Sequence, residues 1–187
     1  MKCAGIVLAA GASKRLGMPK QLVEIGGETL LARAVRVVHE AELEPCLVVV
    51  SGDYDVPDLD ACTVLLNEQA REGMASSIRL GVSSAQAAGV DGVVIVACDQ
   101  PAVTTVHLRL LVAGGDEVVA SAYAGRCGVP AYFPARVFGE LMELRGDVGA
   151  RELLRAARVV ELAGGELDVD TVEELALARE RYPLPPG

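Results

Sequence analysis

The feature that most limits what this chain can become is an alternation. Short apolar runs, "AGIVLAA" (4–10), "PCLVVVS" (45–51), "CTVLLN" (62–67) and "GVVIVAC" (92–98), stand between longer segments of helical period such as "TLLARAVRVVHEA" (29–41) and "MASSIRLGVSSAQAA" (74–88). A strand apolar on both faces belongs inside a sheet covered on both sides, and strands alternating with helices are the mark of βαβ units around a parallel sheet. The fold class is therefore α/β. In the first helical segment Leu30, Leu31, Ala34, Val35, Val38 and Ala41 recur at i, i+3, i+4 spacing while Arg33, Arg36 and Glu40 fall opposite, as in a helix packed on a sheet.

Further on, "TTVHLRLLVAG" (104–114) reads as a helix capped by Thr104 or Thr105. "EVVASAYAGRCGVPAYFP" (117–134) reads as two strands joined at a Gly-containing turn, a hairpin that makes the sheet mixed. Helices are expected at roughly 135–144 and over "ARELLRAA" (150–157), with the polar loop "RGDVG" between them, and a strand at "RVVEL" (158–162). In "LDVDTVEELALARERY" (167–182) Thr171 and Glu174 have the spacing of a capping box. No repeat or composition break divides residues 1–187, so a single domain is expected, with residues 183–187 as a frayed tail.

Composition narrows the functions. With 26 Asp and Glu against 17 Lys and Arg the chain carries a net charge of -9, which argues against a nucleic-acid or anionic-membrane partner. Aromatic residues are 3% and Trp is absent, which argues against stacking on single-stranded bases. No apolar run approaches the length of a membrane span, and the apolar start is too quickly broken by "AAGAS" to read as a targeting segment. Five cysteines, scattered singly without metal-ligand spacing, suit reduced thiols in a cytoplasm.

Against that acidic background the first 23 residues hold no acidic side chain, yet Lys14, Arg15 and Lys20 follow the small residues of "AAGAS" directly after the first strand. In open α/β sheets ligands bind beyond the carboxyl ends of the strands, and small residues there let backbone N–H groups approach an anion. Neither G-x-x-x-x-G-K-[ST] nor G-x-G-x-x-G is present. From composition alone the segment reads equally as a phosphate site or as a strand end with a solvated basic turn.

Residues 8–22, L-A-A-G-x-x-x-R-L-G-x-P-K-Q-L, resemble the nucleotide-binding signature of the nucleotidyltransferase superfamily that includes the sugar-nucleotide pyrophosphorylases and the molybdenum cofactor nucleotidyltransferases. The resemblance continues in order through "NEQAREGMASSIRLGV", "ACDQP", "GVPAYF", "GDVGAR" and "DVDTVEEL", covering nearly the whole chain. "AAG" in place of A-G-G, and "CDQP" in place of P-x-D-x-P, resemble the cytidylyltransferase branch more than the guanylyltransferases. The resemblance implies a three-layer Rossmann-like fold with a mostly parallel mixed sheet. It also implies transfer of CMP from CTP to the terminal phosphate of a molybdopterin-type molybdenum cofactor, with release of pyrophosphate. Mg²⁺ would be the cofactor, and a molybdoenzyme or its maturation chaperone would receive the product. Another nucleotide or a sugar-phosphate acceptor within the same enzyme class, or a cofactor carrier without turnover, are the alternatives.

The resemblance also assigns residues. Arg15 would meet the β- and γ-phosphates and Lys20 the α-phosphate; Leu8, Ala9, Ala10 and Gly11 would line the nucleotide through their backbone, with Gly73, Ser76 and Ser77 at the start of a helix. Asp99, ending a strand directly before Gln100 and Pro101, would be catalytic and bind metal and nucleotide, with Asp170 as the second metal ligand and Asp168 in reserve. Asp168 and Asp170 alternate with Val169, so an extended segment turns both carboxylates one way. Plainer readings cover the rest: Lys14 as a surface lysine, Asn67 as a turn former, Asp147 as the cap of a helix beginning near Gly149 ahead of a part in binding the acceptor, Cys98 as a buried small residue, and His39 and His107 as neither ligands nor bases.

Overall fold

The computed structural model describes residues 1–147 and 149–184. Its main sheet has seven strands: β1 (Cys3–Ala9), β4 (Cys46–Val50), β5 (Thr63–Leu66), β6 (Gly92–Ala97), β7 (Val119–Tyr123), β8 (Arg126–Pro134) and β9 (Arg158–Glu161). They lie in the order β5-β4-β1-β6-β8-β7-β9, with β8 antiparallel to β6 and β7 and every other neighbouring pair parallel. The sheet is mixed for the reason the sequence suggested: Ala124 and Gly125, both at positive φ, return β7 directly into β8. β1, β4 and β6 are the fully apolar runs and occupy the middle, where both faces are covered.

Helices flank both faces, giving three layers. On one side α1 (Leu30–Glu40) and α3 (Thr105–Val112) bury Leu31, Val35, Val38, Leu108 and Leu111 against the sheet. On the other, α2 (Met74–Ala87), α4 (Phe138–Met142) and α5 (Arg151–Leu154) bury Ile78, Val82, Phe138, Leu141 and Leu154. α2 sits close on β1: a Cβ at Gly81 would stand 2.6 Å from Ile6 Cγ2. Thr104 caps α3 by accepting from the His107 backbone N–H, and the capping box at α6 (Val172–Arg181) is complete, with Thr171 and Glu174 bonded both ways.

One element has no counterpart among the sequence expectations. Gly26 and Gly27, at positive φ, turn β2 (Glu24–Ile25) into β3 (Glu28–Thr29), a small separate hairpin whose signal was the Gly-Gly pair. Ile25 joins Leu16, Val23, Leu30, Leu167, Val169 and Leu175 in a third, smaller core that docks the first loop and α6 onto the sheet edge. Residues 183 and 184 are described; the part of the expected frayed tail at 185–187 lies outside the described residues. Among the described residues no helix is long and apolar enough to cross a membrane.

Candidate active site

β1 ends at Ala9, and the chain then has to turn at the carboxyl edge with backbone groups exposed to whatever lies there. The side chain that shapes this turn is Gln21, which is completely buried. Its Nε2 donates to the carbonyls of Ala9 (2.7 Å) and Gly11 (2.9 Å), and Tyr54 also donates to the Ala9 carbonyl (3.0 Å). The turn is closed further by Ser13, whose hydroxyl accepts from the Lys20 backbone N–H at 3.0 Å. Gln21 lies within the family-like string, but only its complete burial reveals that it holds the loop. Because the Ala9 carbonyl is occupied twice, Ala9 supports the loop from behind.

The basic residues are brought to the acidic ones by apolar packing. Leu16, next to Arg15, is buried in the same small core as Val169, which lies between Asp168 and Asp170. The Val169 backbone N–H donates to the carbonyl of Asp99 (2.9 Å), fixing the 168–170 segment against the end of β6. Lys20 Nζ consequently bonds both Asp99 Oδ2 and Asp170 Oδ1, the latter at 2.7 Å, and Arg15 pairs with Asp170 Oδ2. Burial alone lowers a lysine's affinity for its proton, but Asp99 and Asp170 outweigh it and hold the ammonium above the usual range.

Asp168 faces the same side yet takes another partner, Arg126 at 3.5 Å, whose guanidinium also lies over the Tyr123 ring. Burial, and then the neighbouring charge of Asp99, push the Asp168 carboxyl up to about 6. Of the two aspartates, Asp170 is the one joined to Asp99. Cys98 is buried, and burial pushes its thiol well above the usual range, so it is a packing residue. His107 is buried against Ser121 (2.7 Å), away from this cluster, with its pKa lowered by burial.

Beside the cluster opens a cavity of about 790 Å³. Leu8, Ala10, Gly11, Gly73, Ser77, Lys20 and Asp99 line it, so seven residues singled out in sequence share one wall system. Ser76 instead turns its hydroxyl back to the carbonyls of Gln69 and Gly73, at 2.9 Å each. Asn67, which is buried, forms the expected turn through Oδ1 to the Gln69 N–H (2.9 Å), while its Nδ2 meets the hydroxyls of Ser76 and Ser77 at 2.9 Å each. Asn67 thus joins the end of β5 to the first turn of α2.

Asp147 departs from its sequence reading. Instead of capping the helix that follows it, Oδ1 accepts from the backbone N–H of Met74, at the start of α2 (3.3 Å). Gly146 helps, its carbonyl accepting from the Ala75 N–H at 3.0 Å. This also accounts for Gly73, at φ +112: a Cβ there would stand 2.6 and 2.7 Å from the carbonyl carbon and oxygen of Gly146. The cavity is further lined by Lys14, which is exposed as expected of a surface lysine, and by Arg71 and Asp147; Arg71 carries no sequence signal.

Two carboxylates joined through a single ammonium form a hard-oxygen donor pair, and among the described residues no cluster of three or more His, Cys, Asp or Glu offers a self-sufficient metal cage. That donor set fits an ion of the Mg²⁺ type, which takes one or two carboxylates and completes its shell with water and phosphate oxygens.

Known proteins share this architecture. A structure of Rv0371c from Mycobacterium tuberculosis H37Rv superposes with a TM-score of 0.84 at 32% identity, covering 96% of this chain and 98% of its own. A complex of Rv0371c with manganese superposes at 0.79 and 29% identity, covering 96% and 99%. Purine catabolism protein PucB of Bacillus subtilis is 34% identical over 94% of this chain and 95% of its own length. Nicotine blue oxidoreductase of Paenarthrobacter nicotinovorans is 30% identical over 91% and 93%, and a probable molybdenum cofactor guanylyltransferase of Opitutus terrae 34% identical over 54% and 49%. Residues 5–162 match the MobA-like NTP transferase domain, and the chain belongs to that family of nucleotidyltransferases.

Proposed function

We propose that this nucleotidyltransferase moves CMP from CTP to the terminal phosphate of a molybdopterin-type cofactor, in the presence of Mg²⁺. The observation that carries the nucleotidyl-transfer chemistry is the convergence of Lys20, Asp99 and Asp170 beside the first loop, at a cavity large enough for a nucleotide. The choice of cofactor acceptor draws on the resemblance of the motifs and on the relative named as a molybdenum cofactor guanylyltransferase. The choice of CTP draws on Ala10, which lines the cavity where the guanylyltransferase pattern has glycine; the extra methyl narrows the space open to a purine.

In this reading the backbone around Ala10 and Gly11, held by Gln21, receives the triphosphate, with Arg15 and Lys14 meeting its outer phosphates. The acceptor's phosphate oxygen attacks the α-phosphorus, the bond from that phosphorus to the bridging oxygen breaks, and pyrophosphate leaves with the electron pair. The attacking phosphate is already ionised at neutral pH, so no general base is required, consistent with a site made of carboxylates and cations. Lys20 donates to a non-bridging α-oxygen and offsets the charge that builds there. Asp99 and Asp170 would hold the divalent cation, which when bound neutralises phosphate oxygens and aligns attacking and leaving groups.

The test is pyrophosphate release with Mg²⁺ and isolated molybdopterin-type cofactor, run separately with CTP, GTP, ATP and UTP. Release with CTP alone is the expected result. Release with GTP moves the chain to the guanylyltransferase branch, and nucleotide binding without release from any of the four overturns the molybdopterin-type acceptor, leaving another phosphate acceptor or a carrier.

A further inference from the structure

Of the 17 cationic side chains in the sequence, nearly all are engaged in ion pairs or hydrogen bonds to carbonyls. Among the described residues Arg71 is one of the few with neither, and it lines the 790 Å³ cavity. Its own neighbour in sequence cannot neutralise it: Glu72 is drawn away by Arg79 at 3.3 Å, and Arg79 is itself anchored to the Leu144 carbonyl at 2.6 Å. Asp147 lines the same cavity, and among the described residues no cation pairs with it, Arg71 included.

A guanidinium and a carboxylate that share a cavity without pairing keep hydrogen-bonding capacity for a ligand, Asp147 chiefly through Oδ2 since Oδ1 accepts from the Met74 N–H. The backbone that bears each of them is held in place. Arg71 stands on the short helical turn Ala70–Glu72, between the buried Asn67 and the start of α2. The segment bearing Asp147 is tied to α2 three times, through the Leu144 and Gly146 carbonyls and Asp147 Oδ1. Both residues stand at the start of α2, Arg71 on the turn that leads into it and Asp147 on the N–H of its first residue, whereas Asp99 follows the end of β6. A group bound between Arg71 and Asp147 therefore lies at the α2 end of the cavity, as a recognition element.

We propose that Arg71 and Asp147 together read the edge of an amino-substituted pyrimidine ring, the guanidinium donating to ring carbonyl or ring nitrogen acceptors and the carboxylate accepting from the exocyclic amino group. This rests on the function proposed above, in which two ligands carry such an edge: the cytosine of CTP and the pterin of the acceptor. An unpaired carboxylate selects against a ring that offers only an acceptor at that point, as uracil does with O4, so the pair determines specificity.

Equilibrium titration with CTP and with UTP, in Mg²⁺ but without acceptor, tests the base; the KM for the cofactor tests the pterin. Asp147→Asn keeps an oxygen for the Met74 N–H while removing the charge and adding a donor, and Arg71→Ala removes the opposing group. If cytosine is the ring, both variants lose CTP affinity about tenfold or more, and Asp147→Asn collapses the CTP-over-UTP preference. If the pterin is the ring, nucleotide affinities hold and the cofactor KM rises by a similar factor. CTP and UTP affinities and cofactor KM all unchanged in both variants, with unchanged unfolding midpoints, overturn the proposal. The CTP and UTP titrations need no turnover, and without turnover the cofactor arm is read as its dissociation constant by the same titration, so absence of pyrophosphate release from the wild type defeats the functional reading without deciding this one.

Discussion

Two ion-pair networks of similar size lie on this molecule, and they differ in how far the chain travels to make them. On the outer side of α1, Glu28 takes both Arg33 and Arg36, Arg36 also pairs with Glu40, and Thr105 donates to Glu40. Apart from Thr105, its members lie within 12 positions of one another. At the sheet edge, Lys20 gathers Asp99 and Asp170 across 79 and 150 residues, with Arg15 bonded to Asp170 across 155. The first network opens to water at Arg36 and Glu40, whose side chains are 45% and 49% exposed, and could arise on almost any amphipathic helix. The second has Lys20 and Asp99 side chains only 12% and 15% exposed, where desolvating a charge is costly. A chain that brings distant charges together in a poorly solvated place, and leaves its local charges on the surface, indicates which network serves function.

The sharpest way to break that comparison is Asp99→Ala. Pyrophosphate release should fall by about a thousandfold or more, the scale of losing a principal electrostatic group at a phosphoryl centre. The unfolding midpoint should move little, because Lys20 retains Asp170 and the backbone link from Val169 to the Asp99 carbonyl survives the substitution. Near-normal turnover at saturating Mg²⁺ would remove Asp99 from the mechanism; a collapsed fold would mean that the distant network is structural after all.

Gln21→Leu sharpens the comparison by striking the support and sparing the charges. It strips a donor from the Ala9 and Gly11 carbonyls, and Tyr54 remains for Ala9 only. Stability should drop by about 1–3 kcal/mol, the range for a buried polar group left without its partner. CTP binding should weaken about tenfold by titration while kcat at saturation changes less. A variant that binds CTP like the wild type would show that the loop keeps its shape without Gln21.

What could be read from the sequence follows the same division between near and far. β1, β4 and β6 were legible because an unbroken apolar run of five to seven residues between turn signals suits little besides a strand covered on both faces, and α1 because its periodicity is local. The capping box at Thr171 and Glu174 was legible because both partners lie within one turn. Asp147 escaped because its partner, Met74, lies 73 positions back, whereas a capping aspartate is sought at the helix next in sequence. Gln21 as the loop's support and Arg71 as a cavity cation have no local signature at all. The meeting of Asp99 with Asp170 was legible only through resemblance, since it depends on Leu16 and Val169 entering one small core.

Glu28→Gln should produce the smallest effect and tests the surface side of the comparison. Hydrogen bonds from Arg36 hold the Glu28 carboxyl below the usual glutamate range, against a partial burial that pushes the other way. A carboxylate whose pKa is depressed by folding contributes stability above its unfolded value and loses that contribution as pH falls through the folded one. Wild type should therefore exceed Glu28→Gln by about 0.5–1 kcal/mol at pH 7 in urea unfolding, the scale of exposed pairs, with the gap closing below pH 4.5. Added salt should narrow it at pH 7 as well, because the guanidiniums involved are reached by solvent. Turnover should be unaffected, since the pair joins β3 to the outer side of α1 and neither Glu28 nor Arg36 lines the cavity. A loss of activity comparable to that of Asp99→Ala would mean that the helix surface and the reacting centre are mechanically coupled, and the distinction between near and far networks would no longer separate stability from function.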